Sequence, residues 1–208
     1  EQFGSYPEAN EATKALEEIY SAKGDLDGFY AYMQQKGKGF KESHRDSTTY
    51  DAALDRYNDE KCNAASIEFA KYLKNFPKGI FVVEANYYKA TCDYKLQNLD
   101  ESLEGFLVAL NSKRPEFVEP STRAAATIYY LKKKYADALA LYEKLEGLAS
   151  QNDNLLVSLL GQMRCSYYLN EDAKTIANSK KLLAYEKVTR EGIIEANLYL
   201  ARLFVKKE

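Results

Sequence analysis

Residues 85–110 read ANYYKATCDYKLQNLDESLEGFLVAL. The stretch opens as an apolar helix, turns near Asn98, and resumes as a second helix with Ser102 near its start and Phe106 and Ala109 behind it. The same order recurs at Ala126, Tyr129, Tyr130, Lys134-Tyr135-Ala136-Asp137-Ala138, Tyr142 and Leu145. An earlier copy carries Ala53, Tyr57, Ala65, Phe69, Tyr72 and the stop Phe76-Pro77. Self-similarity at about 36 residues marks a helical solenoid, in which each hairpin buries its apolar face only by stacking on its neighbours. None of these copies carries a catalytic group.

Working outward, Ala12, Ala15, Leu16 and Ile19 fall at helical spacing on one face of a first helix. Gly24-Asp25 breaks it, and a second helix carries Leu26, Phe29, Tyr30 and Met33 before Gly37 and Gly39. Ser43–Asn58 then pairs with Lys61–Asn75, which Pro77 punctuates because it has no amide hydrogen. Phe81–Leu96 pairs with Asp100–Asn111; the run Ile80-Phe81-Val82-Val83 reads as the opening of that helix rather than as a strand. Arg114-Pro115 and Glu119-Pro120 bracket a short link, after which Thr122–Lys133 pairs with Tyr135–Leu148. Asn154–Leu169 pairs with Asp172–Leu183, and Thr189–Lys206 is left as a lone helix. The expectation is an all-α, right-handed α-α superhelix of about five hairpins plus a terminal helix, one solenoid domain over residues 1–208. Phe3 and Tyr6-Pro7 read like the end of a helix, so the chain is expected to be part of a longer protein.

Composition narrows the function. The chain has 29 basic and 31 acidic residues, a balance that argues against a nucleic-acid footprint, which needs clustered basic excess. No apolar run approaches the ~18–20 residues of a membrane span. Cys62, Cys92 and Cys165 are far apart and lack metal-ligand or CxxC spacing, so neither a disulfide framework nor a zinc site is read from them. His44 is the single histidine and reads as a surface or capping residue beside Glu42, Arg45 and Asp46. The glycines form no phosphate-binding pattern, and no catalytic triad can be assembled. The reading is therefore not an enzyme, with no cofactor and no metal. Eighteen tyrosines against no tryptophan are unusual; the ring with a polar tip serves a helix seam or a binding groove.

These residues resemble the tetratricopeptide repeat family, most clearly over Thr49–Leu145. In that register the first helix-crossing point falls on Ala53, Ala90, Ala126 and Gly161. The second falls on Ala65, Ser102 and Ala138, with Phe29 a departure and either Ala173 or Thr175 in the fifth unit. Unit starts near Asn10, Asp46, Val83 and Glu119 are spaced by 36, 37 and 36 residues, slightly longer than the family's usual 34. The stretch from Phe76 to Phe106 also looks like tetratricopeptide segments of bacterial cell-envelope proteins such as the Tol–Pal coordinator and outer-membrane assembly lipoproteins, and the stretch from Gly161 through Arg164 to Leu183 looks like a C-terminal unit of large Bacteroidetes envelope proteins. That resemblance implies a periplasmic or cell-envelope protein that binds other proteins.

In this family the first helices line a concave groove. Carried over, the groove positions include Tyr50, Tyr57, Asn58, Tyr87, Tyr94, Arg123 and Tyr130, an expected protein- or peptide-binding set rich in rings that give contact area at low entropy cost. The paired Lys and Asn that clamp a C-terminal carboxylate in some members are missing: Tyr50, Leu54, Tyr87 and Thr91 stand at those positions. The alternative is a structural spacer, or a homodimer built through the terminal helix, where Ile193, Ala196, Leu200 and Leu203 share a face.

Overall fold

The computed structural model describes residues 7–205. Among them run eleven helices and no strand: α1 (Pro7–Lys23), α2 (Leu26–Gln35), α3 (Glu42–Asn58), α4 (Cys62–Asn75), α5 (Val82–Lys95), α6 (Leu99–Leu110), α7 (Pro115–Leu131), α8 (Tyr135–Leu148), α9 (Asn152–Tyr168), α10 (Asp172–Leu183) and α11 (Arg190–Val205). The all-α expectation holds. Phe3, Tyr6 and Lys206 lie outside the described residues, and Pro7 opens α1 rather than closing a helix.

Two compact units divide the chain, Glu1–Asn98 and Leu99–Glu208. In the first, α1 packs on α2, α3 on α4 and α4 on α5, while α3 also touches α1 and α5. In the second, each helix from α6 to α11 packs on the next, and α9 also touches α7 and α11. The second unit is thus a stack of helices packed consecutively, the first a stack in which α1 and α3 are joined directly, and in each the neighbouring odd-numbered helices touch and form one layer.

The turns that end α1, α3, α5, α7 and α9 explain this regularity. Gly24, Glu60, Gln97, Lys133 and Asn170 all take φ between 58° and 72°. They are spaced by 36, 37, 36 and 37 residues. Each left-handed residue donates its N–H to the carbonyl three residues back, on Ser21, Tyr57, Tyr94, Tyr130 and Tyr167, at 2.9–3.1 Å. The following N–H reaches the carbonyl five residues back, on Tyr20, Arg56, Asp93, Tyr129 and Ser166, at 2.8–2.9 Å. This is the Schellman arrangement, which satisfies the orphan carbonyls of a helix end and reverses the chain within a few residues. Only Gly24 takes this backbone without a Cβ penalty; the other four accept a strain of about 1–2 kcal/mol each.

Small residues let the helices close up. Ala53, Ala90 and Ala126 at the first crossing point, and Ala65, Ser102 and Ala138 at the second, are fully buried. Gly161 takes the same role in α9, where a Cβ would run into the Tyr142 ring. Thr175, not the exposed Ala173, fills the fifth second-crossing point, and the departing Phe29 is buried there as a full-sized ring. Around these points, Phe69 and Tyr72 fill the first unit, and Tyr142 and Leu145 the second.

Two boundaries differ from the sequence reading. The stretch between Arg114 and Pro120 is helix, not a link: Pro115 occupies N1, where a missing amide costs nothing, and Pro120 removes one bond from the second turn. Ile80 and Phe81 belong to a turn rather than to the opening of α5. A buried polar network holds them there. Tyr72 donates its hydroxyl to Asp46 Oδ1 at 2.6 Å and accepts the Phe81 N–H at 3.1 Å, while the Ile80 N–H donates to Asp46 Oδ2 at 3.0 Å. Burial and the Asp46 partner push the Tyr72 phenol well above its usual range.

Two stability measurements test these devices. Asp46→Ala strands a buried hydroxyl and an amide, and is expected to cost about 2–4 kcal/mol in urea unfolding. Lys133→Gly relieves a left-handed Cβ and is expected to raise stability by up to about 1 kcal/mol, read as a higher midpoint at unchanged m-value. A lowered midpoint would mean that the lysine side chain contributes more than the backbone strain costs.

Candidate functional site

The turn geometry places a tyrosine at the same point of four odd helices. Tyr57, Tyr94, Tyr130 and Tyr167 are the residues whose carbonyls cap the left-handed turn. Each is the penultimate residue of its helix.

In the first unit, α3 supplies Tyr57 and α5 supplies Tyr87, Tyr88 and Tyr94. The Tyr57 and Tyr88 rings lie 4.7 Å apart, and Tyr88 meets Tyr87 edge-on at 5.4 Å. All four are half-buried. Burial raises the Tyr57 and Tyr87 phenols, reinforced by the neighbouring tyrosines. They therefore remain protonated at neutral pH and can both donate and accept a hydrogen bond.

Tyr50 stands apart from this face. It is 6% exposed and stacks on Phe81 at 4.2 Å, so its ring packs the core of the unit instead of presenting a contact. Asn58 is exposed and lines an open cleft of about 500 Å³ between α1 and α3, with Glu17, Asp51 and Asp55 among its walls. Burial and the Asp55 charge raise the Asp51 carboxyl within that cleft. His44 lies against α1, with Nε2 at 2.9 Å from Glu17 Oε1 and its ring stacked on Phe40 at 5.0 Å.

The second unit carries a longer run of rings. Tyr130 of α7 lies 5.7 Å from Tyr135, the first residue of α8, and 6.3 Å from Tyr168, the last residue of α9. Tyr135 and Tyr168 stack at 4.6 Å. Tyr168 meets Tyr167 edge-on at 5.7 Å, and Tyr167 stacks on Tyr199 of α11 at 4.3 Å. Beneath them Arg164 makes two hydrogen bonds to Glu195, at 2.7 and 2.6 Å, which raise the guanidinium above its usual range. Burial, with Tyr168 adding to it, pushes the Tyr130 phenol up to about 12. Burial followed by the Glu195 charge raises Tyr199 as well. Tyr168 is 45% exposed, whereas Tyr199 is 6% exposed. Arg123 is exposed and donates to Asn154 Oδ1 at 2.8 Å, which ties α7 to the start of α9.

Of the seven residues expected from sequence, Tyr57 and Tyr87 share one cluster, Tyr130 belongs to another, and Tyr50 joins the core. Sequence reading missed Tyr88, Tyr135, Tyr167, Tyr168 and Tyr199, and the Arg164–Glu195 pair. For Tyr167 a signal existed: the spacing Tyr57, Tyr94, Tyr130 carried one repeat further lands on it. Among the described residues no group of three or more His, Cys, Asp and Glu is placed to hold a metal ion, and no helix is long and apolar enough to cross a membrane. The chemistry on offer is flat aromatic contact area fringed with hydroxyls.

The two exposures predict opposite costs. Tyr199→Ala is expected to destabilise the second unit by about 3–5 kcal/mol, as for other large buried rings. Tyr168→Ala should stay within about 1 kcal/mol, and thermal melts of the two variants check this. No protein-family model matches the chain and no curated protein matches it in sequence, so any assignment of this site rests on its own residues.

Proposed function

We propose that this chain is a protein-interaction module of the tetratricopeptide type, which takes a protein or peptide partner on the tyrosine-bearing ends of its odd helices. The observation that carries the reading is the exposed Tyr168 ring, held by its stack on Tyr135 and its contacts with Tyr130 and Tyr167 in the second unit's ring cluster. A ring held in place loses little entropy on binding, and its hydroxyl adds a directional bond. Half-buried Tyr87 and Tyr94 offer the same chemistry in the first unit. The module binds rather than catalyses: the phenols are raised, not lowered, and so are poor bases and nucleophiles at neutral pH. The resemblance to envelope tetratricopeptide segments supports a periplasmic or cell-envelope setting.

Affinity capture from the source cells, followed by crosslinking, tests this. Tyr168→Ala, and separately Tyr87→Ala with Tyr94→Ala, are expected to weaken capture of the main partner by tenfold or more, the order expected for aromatic hot spots of about 1.4 kcal/mol or above. Undiminished capture by both folded variants would remove the aromatic faces from the binding surface.

A second reading has an observation of its own. On α11, Ala196 and Leu203 are buried, so much of the face expected to be free is packed. The free stripe is instead Ile194, Leu198, Ala201 and Val205, spaced to share another face of the helix. A second copy of the chain seated there would make a homodimer. Light scattering over a concentration series distinguishes the two, because only self-association raises the mass with concentration.

A further inference from the structure

The three cysteines are not equivalent. Cys62 is the first residue of α4, and Cys92 lies three turns into α5. Their sulfurs are 2.8 Å apart, with Cys92 Sγ donating to Cys62 Sγ. Cys92 is fully buried in the core of the first unit among Ala53, Ala65 and Phe69, while Cys62 packs on the edge of that core and is half-buried. Cys165, fully buried in the second unit, belongs to a separate apolar cluster. The contact is long-range in sequence and lies on two helices that pack directly on each other. Two thiols aimed at each other at 2.8 Å are already near the ~2.05 Å sulfur–sulfur separation of a disulfide.

We propose that Cys62 and Cys92 are a disulfide-forming pair that staples the start of α4 to α5. The oxidant is a disulfide of the small-thiol or protein-thiol class. Half-buried Cys62 reacts first: its thiolate attacks one sulfur of the oxidant, the oxidant's S–S bond breaks, and one thiolate leaves with the electron pair. Cys92 then loses its proton and attacks Cys62 Sγ, which expels the second thiolate. Two protein thiols are oxidised by two electrons, one external disulfide is reduced to two thiols, and the two protons end on the leaving groups. Burial raises the Cys92 thiol, which fits its role as the second, resolving sulfur. The bond closes a loop from residue 62 to residue 92 and removes freedom from the unfolded chain. It also lies beside Tyr57, whose phenol senses both sulfurs.

The test uses the intact chain equilibrated with oxidised glutathione, then denatured and alkylated. Reactive thiols are expected to fall from three to one, with a peptide crosslink mapping to Cys62 and Cys92 and Cys165 still free. Reduction of that species is expected to lower the melting temperature of the first unit by on the order of 10 °C. Cys165→Ser should leave both results unchanged, and Cys62→Ser should abolish the redox-dependent shift. The proposal is overturned if three free thiols persist, if Cys62 stops as the glutathione adduct, or if the crosslink involves Cys165. A bond that forms without a shift in melting temperature overturns its stapling role.

Discussion

A left-handed residue closing each of α1, α3, α5, α7 and α9 is the constraint on which the rest of the structure depends. It ends the helix, satisfies two orphan carbonyls and turns the chain back within three residues. Within each unit the turn is so short that the next helix lies against the one just finished. Close packing then requires small residues where the axes cross, which is why Ala53, Ala65, Ala126, Ala138 and Gly161 are buried. The same turn sets where rings emerge, since Tyr57, Tyr94, Tyr130 and Tyr167 occupy its carbonyl-accepting position. Period, packing and candidate site thus share one local cause.

Tyrosine, rather than phenylalanine, suits these places because the structure uses both ends of the side chain. Tyr72 is fully buried, yet its hydroxyl organises the turn into α5 through Asp46 and Phe81. Tyr168 turns the same chemistry outward. Between these extremes lie half-buried rings such as Tyr57 and Tyr130, whose phenols are raised by burial and stay neutral. Exposed ring surface and core are therefore continuous: a ring that packs on one side presents its edge or hydroxyl on the other.

Several features escaped the sequence for identifiable reasons. Glu60, Gln97 and Lys133 give no glycine signal, so their left-handed backbone is visible only once the hydrogen bonds of the turn are seen. Pro115 and Pro120 looked like a link because proline usually punctuates; the first two turns of a helix tolerate it. Tyr50 carries the register of a groove residue, yet the arrival of Phe81 from the next turn buries it. Cys62 and Cys92 stand thirty residues apart and meet because α4 and α5 pack side by side.

By itself the amino-acid order determined that this chain is helical, where nearly every helix begins and ends, which small residues sit at the crossings, and that aromatic side chains recur in phase. Those are properties of short windows, governed by periodicity, turn chemistry and side-chain volume. Only the tertiary structure decided which tyrosines are core and which are surface, which face of α11 stays bare, and which cysteines touch. Each of these depends on a helix from another part of the chain arriving at a given height and angle, and no local window contains that information.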